Sequence, residues 1–215
     1  MSPLPTRMAD HWWQRPGRFP GRLQYHWHML FHDQPAVRDL AGQAQRRLAG
    51  LPNLDLVGPQ WLHLTTLTVG FADEVSADQV AAMTAGARGK LAAVEPIPVT
   101  LGRVFYHPEA VVLAVEPAGA LLPVLDAVTA AAEAAGCEAK PDTEPWLPHV
   151  TVAYSNAAGP AAPVIAALGR RLPEITVTIR SVSLVAQTQV GRTWQWQPVA
   201  EAHLAVPASQ ADTLG

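Results

Sequence analysis

Two segments of the chain share one pattern: Trp61-Leu62-His63-Leu64-Thr65 and Trp146-Leu147-Pro148-His149-Val150-Thr151. Each holds a His-x-Thr unit within an apolar run that is typical of a β-strand. Because successive side chains of a strand alternate between its two faces, the His and the Thr of each unit point the same way. One unit lies in each half of the chain, 86 residues apart, which predicts two equivalent strands in a duplicated fold.

The elements predicted around these strands follow a similar order in both halves. The first half gives a strand, a helix, the motif strand, a helix and a hairpin, over 22–31, 35–48, 60–71, 76–93 and 98–116. The second half gives a helix, the motif strand, a short helix and two strands, over 121–135, 148–154, 163–172, 175–188 and 193–199. Ser76 with Gln79 three residues on is a capping-box pattern. This order predicts an α+β fold with two lobes that face each other.

Length and composition indicate one globular domain. The 215 residues are 49% apolar and 15% charged, which provides a sizeable core and is not the composition of a disordered chain. We expect an irregular N-terminal arm over 1–21, a single bilobal domain over 22–206 and a frayed tail over 207–215. Trp12 and Trp13 favour an arm that packs on the domain, and the arginines of the arm leave open a role in reaching RNA.

Charge, cysteine content and hydropathy bear on partners and location. The net charge of −3 gives no basic field that would indicate nucleic acid. Cys137 is the only cysteine, so no disulfide forms within the chain, which suits a reducing compartment. The sequence has no apolar run of ~18 residues, and its first residues lack the apolar core of a signal peptide. We expect a monomeric, cytoplasmic protein that spans no membrane.

The residues of the two units suit acid–base chemistry at a phosphate. An imidazole titrates near pH 6.5, so at neutral pH one of His63 and His149 can accept a proton while the other donates one. Opening a phosphodiester requires both events. The hydroxyls of Thr65 and Thr151 can donate to nonbridging phosphate oxygens. If the two units meet in one cleft, they form a site that requires no metal. A chance repeat of two polar tripeptides is the alternative.

The two units, extended to Trp61-Leu62-His63-Leu64-Thr65-Thr66-Leu67 and Pro148-His149-Val150-Thr151-Val152-Ala153-Tyr154, resemble the paired signatures of the 2H phosphoesterase superfamily. The similarity is to its branch of 2′-5′ RNA ligase and RNA 2′,3′-cyclic phosphodiesterase-like proteins, and Gly102-Arg103-Val104 fits the strand between the motifs. The resemblance implies two antiparallel sheets that line a central cleft, with helices packed outside. It also implies that His63 and His149 are the catalytic acid–base pair and that Thr65 and Thr151 bind phosphate.

The function that this resemblance implies is a cyclic phosphodiesterase without metal or cofactor. It would open a 2′,3′-cyclic phosphate of a nucleotide or RNA end, with weak 2′-5′ RNA ligase activity as the reverse reaction. Which His is the base and which the acid stays open. Two alternatives remain: a non-catalytic RNA- or nucleotide-binding module on the same fold, and a structural protein without a phosphate site.

Other residues allow more than one interpretation. His26 and His28 share one face of a predicted strand, which suits a metal pair, a lining of the cleft or hydrogen bonds within the sheet. Arg103 can bind phosphate or pair with a carboxylate. Trp146 and Tyr154, which lie close to His149 in sequence, are the first candidates for stacking on a base, although aromatic residues on strands are more often core.

Overall fold

The two His-x-Thr units lie at the start of two β-strands, β4 (His63–Phe71) and β7 (His149–Ser155), in a computed structural model of the chain. The structure describes residues 4–15, 17, 19–141, 143 and 145–205. The tail predicted over 207–215 lies outside these residues, and the predicted domain limits stay a prediction.

Nine of the strands form two antiparallel sheets. The first sheet has the order β11 (Thr193–His203), β10 (Ser181–Val190), β2 (Gln24–Leu30) and β4. The second has the order β3 (Leu54–Leu56), β7, β6 (Ala110–Glu116), β5 (Ile97–His107) and β9 (Arg171–Ile179). A two-stranded pair of β1 (Arg7–Met8) and β8 (Gly159–Pro160) lies apart from them. The fold is therefore α+β with one His-x-Thr strand in each large sheet, as the sequence predicts.

Each large sheet draws on both halves of the chain. The hairpin β5–β6 follows the first His-x-Thr strand in sequence, yet β6 pairs with β7, the second one. The hairpin β10–β11 follows the second unit, yet β10 pairs with β2 and thereby joins the sheet of β4. The two lobes are consequently the two sheets and not the two halves of the sequence, because the halves exchange their hairpins.

Four helices cover the sheets, and their apolar faces agree with the sequence pattern. They are α1 (Pro35–Leu48), α2 (Ala77–Leu91), α3 (Leu122–Ala134) and α4 (Ala162–Leu168). Helix α1 contacts β7 and β9, whereas α2 contacts β11 and α3 contacts β4. The predicted capping box is present: the backbone N–H of Gln79 donates to the Ser76 hydroxyl, and that of Ser76 donates to the Gln79 side chain. No helix among the described residues is long and apolar enough to span a membrane.

Among the predicted boundaries that are wrong, three have a reason that the structure shows. The motif strand predicted from residue 60 begins only at His63, because Pro59–Trp61 form a 3₁₀ turn. The short helix predicted to residue 172 ends at Leu168, because Gly169 takes a φ of 74° that stops the helix. The single strand predicted over 175–188 is two strands, since the chain leaves the second sheet after Ile179 and enters the first at Ser181.

Candidate active site

The two motif histidines are held by the same hydrogen bond. The Nδ1–H of His63 donates to the carbonyl oxygen of Trp61 at 2.9 Å, and the Nδ1–H of His149 donates to the carbonyl oxygen of Leu147 at 2.7 Å. A carbonyl oxygen only accepts, so each bond places a proton on Nδ1 and assigns the lone pair of the neutral ring to Nε2. Both rings are thus fixed by the backbone two residues before them, and both present the same nitrogen for chemistry.

The two strands that carry these rings lie beside each other. Residues of β4 and β7 approach within 8 Å between Cα atoms. The indole N–H of Trp146, three residues before His149, donates to the backbone carbonyl of Thr65 at 3.3 Å. The segment before β7 also pairs with β4, since the backbones of Thr68 and Lys140 exchange two hydrogen bonds of 2.9 Å. The structure therefore brings the two His-x-Thr units together, and hydrogen bonds join β4 to the segment that precedes β7.

His63 is packed between two aromatic rings. Its ring centroid lies 4.3 Å from that of His28 and 4.6 Å from that of Trp196, which meets it edge-on. Burial lowers the pKa of His63 well below its usual 6.5, and the neighbouring His28 and His149 lower it further, against the opposing bond from the Trp61 carbonyl. At neutral pH the His63 ring is consequently neutral and able to accept a proton at Nε2.

His28 is a buried, neutral partner of His63. It has no exposed surface, and its Nε2 lies 2.9 Å from the side-chain amide of Gln187 while its Nδ1 lies 3.2 Å from the carbonyl oxygen of Trp27. Burial is the largest cause that lowers the pKa of His28, to about 3, and His26 lowers it too. The amide oxygen of Gln187 only accepts, so the neutral ring carries a proton on Nε2 and donates it to that oxygen.

The two threonines occupy different surroundings in the two sheets. Thr65 lies opposite His28 in the pairing of β4 with β2 and is half-buried. Thr151 lies opposite Val112 of β6 and is 8% exposed. Strand alternation places each hydroxyl on the same face as the His two residues before it. All four predicted site residues therefore lie in the region where β4 meets β7.

Arg103 forms an ion pair and does not stand out as a phosphate ligand. Arg103 lies two residues before Phe105 on the same face of β5. Phe105 pairs with Val112 of β6, and Val112 in turn pairs with Thr151 of β7. The guanidinium of Arg103 lies 4.6 Å from the centre of the Phe105 ring and donates to the carboxylate of Glu116 at 3.1 Å. Of the two interpretations of Arg103, the structure shows the pairing with a carboxylate.

The other sequence candidates are placed as follows. The rings of His26 and His28 stack with centroids 5.2 Å apart, and the Nδ1 of His26 lies 3.2 Å from the hydroxyl of Thr68. Both side chains therefore pack within the first sheet, where His28 contacts His63. Within the described residues no three His, Cys, Asp or Glu side chains cluster as metal ligands. The ring of Tyr154 stacks on His11 of the N-terminal arm at 4.1 Å.

A pocket opens beside His63. Its lining combines aromatic rings with polar groups and includes Asp55, Trp61, His63, Tyr154, Thr193 and Trp194. The lining comes from both large sheets, because Tyr154 belongs to β7 and Trp194 to β11. The neutral imidazole of His63 therefore adjoins aromatic and polar side chains that come from both sheets.

A family model described as the 2′-5′ RNA ligase superfamily matches residues 32–191. The chain belongs to this superfamily. No curated protein matches the sequence. The match contains both His-x-Thr units, begins after the arm and ends before β11, so the superfamily pattern covers the motif strands but not the aromatic residues at 12, 194 and 196.

Solved structures of similar fold agree with this membership of the 2′-5′ RNA ligase superfamily. TT0787 of Thermus thermophilus superposes with a TM-score of 0.66 at 18% identity, over 86% of this chain and 100% of that one. Escherichia coli LigT superposes with a TM-score of 0.62 at 16% identity, over 85% and 98%. The MHV ns2 PDE domain does so with 0.58 at 14% identity, over 76% and 99%. The fold is that of 2H phosphoesterases.

Sequence reasoning missed two residues that shape this superfamily site. Trp196 packs edge-on against both Trp61 and His63, although it lies 133 residues after His63 in sequence. Gln187 holds His28. Alternation along β10 and β11 predicts which residues share a face, but only the pairing of β10 with β2 shows that this face adjoins His63.

Proposed function

We propose that this chain is a metal-independent phosphodiesterase that opens a 2′,3′-cyclic phosphate of a nucleotide or RNA end. The observation that carries the proposal is the matched pair of Nδ1–H bonds to the carbonyls of Trp61 and Leu147. They fix His63 and His149 in the same tautomer, with Nε2 as the reacting nitrogen of each. Two oriented imidazoles supply the proton acceptor and the proton donor that displacement at phosphorus requires.

The two hydroxyls supply the phosphate contacts in this proposal. Thr65 and Thr151 lie on the same strand faces as the two histidines, so a phosphate held between the rings meets both hydroxyls. Each hydroxyl donates to a nonbridging oxygen, where charge builds up as the attacking oxygen approaches phosphorus. Because each pair of groups is carried by a strand that is hydrogen-bonded within its own sheet, their positions are set before substrate arrives, and little ordering is required during the reaction.

The surroundings of the two rings support different roles for them in this proposal. His63 is enclosed by His28 and Trp196, and its lowered pKa keeps it neutral at pH 7. A neutral ring accepts a proton, so His63 is the base that takes the proton from the attacking water. His149 is then the acid that donates from Nε2 to the departing ribose oxygen. The water oxygen bonds to phosphorus as the bond from phosphorus to the ribose oxygen breaks.

What similar proteins bind supports the substrate class. One LigT structure is a complex with 3′-AMP and another a complex with NADP+. The MHV ns2 domain is described as a PDE domain. The aromatic side chains next to His63 are groups on which the base of a nucleotide can stack while its phosphate lies at the two histidines. Weak 2′-5′ ligation follows at the same site, since a hydroxyl can replace water as the group that attacks phosphorus while the same bond to a ribose oxygen breaks.

The test is hydrolysis of the four nucleoside 2′,3′-cyclic monophosphates in EDTA, with identification of the product phosphate. We expect turnover that EDTA does not reduce, and a fall of about 10²–10⁴-fold in kcat for His63→Ala and for His149→Ala. His107→Ala is the matched control, since this exposed His is the last residue of β5, before the turn to β6. Turnover that survives both substitutions, or depends on metal, contradicts the proposal. Binding of product without turnover in the wild type favours the non-catalytic module.

A further inference from the structure

The backbone of the N-terminal arm is bonded along the second sheet. Strand β1 pairs with β8, and the backbone N–H of Ala9 donates to the carbonyl of Pro108 at 2.8 Å. The N–H of His11 donates to the carbonyl of Ser155, the last residue of β7, also at 2.8 Å. These bonds place His11 and Trp12 next to the strand that carries the second His-x-Thr unit.

Side chains of the arm add to this attachment. The indole N–H of Trp12 donates to Asp55 of β3 at 2.8 Å. The carboxylate of Glu109, in the turn between β5 and β6, accepts from the indole N–H of Trp13 at 3.0 Å and from the guanidinium of Arg15 at 2.6 Å. The charge of Arg15 is therefore paired with a carboxylate of the domain, so Arg15 ties the arm down instead of projecting toward a nucleic acid.

On its other side the arm meets the first sheet at Trp194 of β11, a side chain that is only 8% exposed. The His11 ring stacks on Tyr154 of β7 with centroids 4.1 Å apart and meets Trp194 edge-on at 6.0 Å. The Trp12 ring lies 5.3 Å from Tyr154 and 5.7 Å from Trp194. The arm thus joins β7 to β11 through a four-ring cluster of His11, Trp12, Tyr154 and Trp194.

One hydrogen bond in this four-ring cluster fixes the protonation state of His11. The indole N–H of Trp194 donates to Nε2 of His11 at 2.8 Å. An indole nitrogen only donates, so Nε2 must accept, and the neutral ring carries its proton on Nδ1. That Nδ1 lies 3.2 Å from the carboxylate of Glu109 and donates to it. The bond from Trp194 therefore exists only while His11 is neutral.

A second proton on His11 breaks the bond from Trp194. The added proton sits on Nε2 and faces the indole proton of Trp194, so two donors meet across 2.8 Å with no acceptor between them. The charged ring keeps its bond to Glu109, whose carboxylate attracts it. The buried indole N–H of Trp194 loses its acceptor, and an unpaired buried donor destabilises the state that buries it.

Charged groups near the cluster act on His11 in both directions. The carboxylate of Glu109 attracts an imidazolium, whereas the guanidinium of Arg15, bound to the same carboxylate, repels one. The titratable and charged groups that contact His11 or its partners, or line a pocket with them, are Asp10 and Arg15 of the arm, Asp55 of β3, His107 and Glu109 at the β5–β6 turn, Tyr154 of β7 and Arg192 at the β10–β11 turn.

The contact at Trp194 lies close to the ring that covers His63. Trp194 and Trp196 are two residues apart on β11 and therefore share a strand face. Trp196 packs edge-on against His63 at 4.6 Å and against Trp61 at 4.9 Å. The same end of β11 is thus held by the arm on one side and presses on His63 on the other.

We propose that the arm is a strap that holds β11 of the first sheet against β7 of the second, and that protonation of His11 releases it. The strap does not depend on the proposed reaction, since it concerns how the two sheets are joined. In the closed state His11 is neutral and bonded to Trp194. In the released state the imidazolium stays with Glu109 on the second sheet, whereas Trp194 moves with β11 and carries Trp196 with it.

The first test follows the indole N–H of Trp194 and the imidazole nitrogens of His11 by NMR, from about pH 8 to about pH 4.5. The signal of Trp194 is the one that is missing in Trp194→Phe. We expect the indole N–H to be protected from solvent exchange at the upper pH. Its exchange, corrected for the intrinsic effect of pH, should rise by about tenfold or more at the pH where His11 titrates.

Two variants of His11 separate the hydrogen bond from the charge. His11→Phe keeps a flat ring against Tyr154 and removes the acceptor, so the indole N–H of Trp194 exchanges fast at every pH. His11→Gln offers an acceptor oxygen that does not titrate, so the indole stays protected at low pH. His203→Gln is the matched control, because this exposed His lies at the end of β11, and it keeps the wild-type pH dependence.

The second test measures backbone hydrogen exchange by mass spectrometry at neutral pH. We expect His11→Phe to raise the exchange of residues 188–197 by about tenfold, because this end of the β10–β11 hairpin loses its contact with the arm. Exchange in β2 stays at the wild-type level, since β2 lies between β10 and β4 within the first sheet. His11→Gln keeps the wild-type exchange in both segments.

An indole N–H of Trp194 that stays protected below the pH at which His11 titrates overturns the release, as does a His11 ring that remains neutral down to about pH 4.5. Unchanged exchange of residues 188–197 in His11→Phe overturns the strap. The pH titration uses the wild-type protein, so it does not depend on any variant folding. Because neither test requires turnover, a strap that opens in a protein that hydrolyses no cyclic phosphate supports this inference and contradicts the proposed reaction.

Discussion

The rings of His28 and His63 lie with centroids 4.3 Å apart, and His28 has no exposed surface while His63 adjoins the pocket. The pair joins a structural histidine to a proposed catalytic one. His28 is fixed by Gln187 and the Trp27 carbonyl, so it forms a rigid wall against which the ring of His63 is held. This contact makes the two motif histidines unequal, although their own hydrogen bonds are alike.

The first prediction concerns the titration of His63. Its pKa is lowered by burial and by His28, so the neutral, base-competent ring persists as the pH falls below 6.5. We expect the His63 signal to titrate well below pH 6.5 when the imidazole nitrogens are followed by NMR. The base limb of a kcat/KM profile follows the same titration. A His63 that titrates at or above 6.5 contradicts the assignment of this ring as the base.

The second prediction concerns stability and pH. The pKa of His28 falls from 6.5 to about 3 on folding, so the unfolded chain binds the proton more readily. Stability from this group is therefore present above about pH 6.5 and is lost as the pH falls toward 3, by about 1.4 kcal/mol per pH unit.

Urea unfolding at pH 7 and pH 5 measures this dependence. His28→Gln removes the titrating ring, so the free energy of unfolding of that variant should fall less between the two pH values than in the wild type. The variant is also less stable at pH 7, because the amide of Gln187 loses its partner, at a cost of about 1–3 kcal/mol. Equal slopes in the two proteins would show that His28 does not set the pH dependence.

The third prediction separates acid from base by the leaving group. The p-nitrophenolate of a p-nitrophenyl phosphodiester leaves without being protonated. The hydrolysis rate of this substrate therefore depends little on the general acid but still depends on the general base. We expect His149→Ala to regain most of its activity on such a substrate relative to a cyclic nucleotide. His63→Ala stays impaired on both. If His63→Ala regains activity on this substrate and His149→Ala does not, His149 is the base and His63 the acid.

The fourth prediction concerns the hydroxyls. Thr151→Val keeps the shape of the side chain and removes its donor, so it loses one hydrogen bond to a charged phosphate. That bond contributes about 1.5–3 kcal/mol, and kcat/KM should fall by about 10–100-fold. Thr151→Ser keeps the hydroxyl and most of the activity. The same pair of substitutions at Thr65 checks the other motif, and a valine variant with full activity at either position removes that Thr from the site.

Local sequence pattern was enough for the motif strands and the helices. The apolar spacing over 35–48 predicted the helix whose buried residues are Val37, Leu40, Ala41, Ala44 and Leu48, all on one face. The His-x-Thr alternation predicted which side chains share a face. These features depend on residues a few positions apart, so a single sequence contains the information.

Strand boundaries were less predictable where a tertiary event ends an element. Residues 175–188 read as one apolar run, and nothing within the run shows that the chain changes sheets between Ile179 and Ser181. The partner of Arg103 was equally hard to predict. Local sequence shows which strand face carries Arg103, but its partner Glu116 lies on the neighbouring strand of a hairpin. The choice between phosphate and carboxylate was open until the pairing of β5 with β6 was known.

The sequence by itself determined the four site residues proposed, the strands that carry them and the superfamily to which the chain belongs. Only the tertiary structure decided that the halves exchange hairpins, that His28 and Trp196 enclose His63, and that His11 and Trp12 contact Tyr154 and Trp194. The physical reason is the range of the interactions. Side-chain direction and helix caps follow from neighbouring residues, whereas sheet order and ring contacts join residues that lie from 35 to more than a hundred positions apart and depend on how the whole core packs.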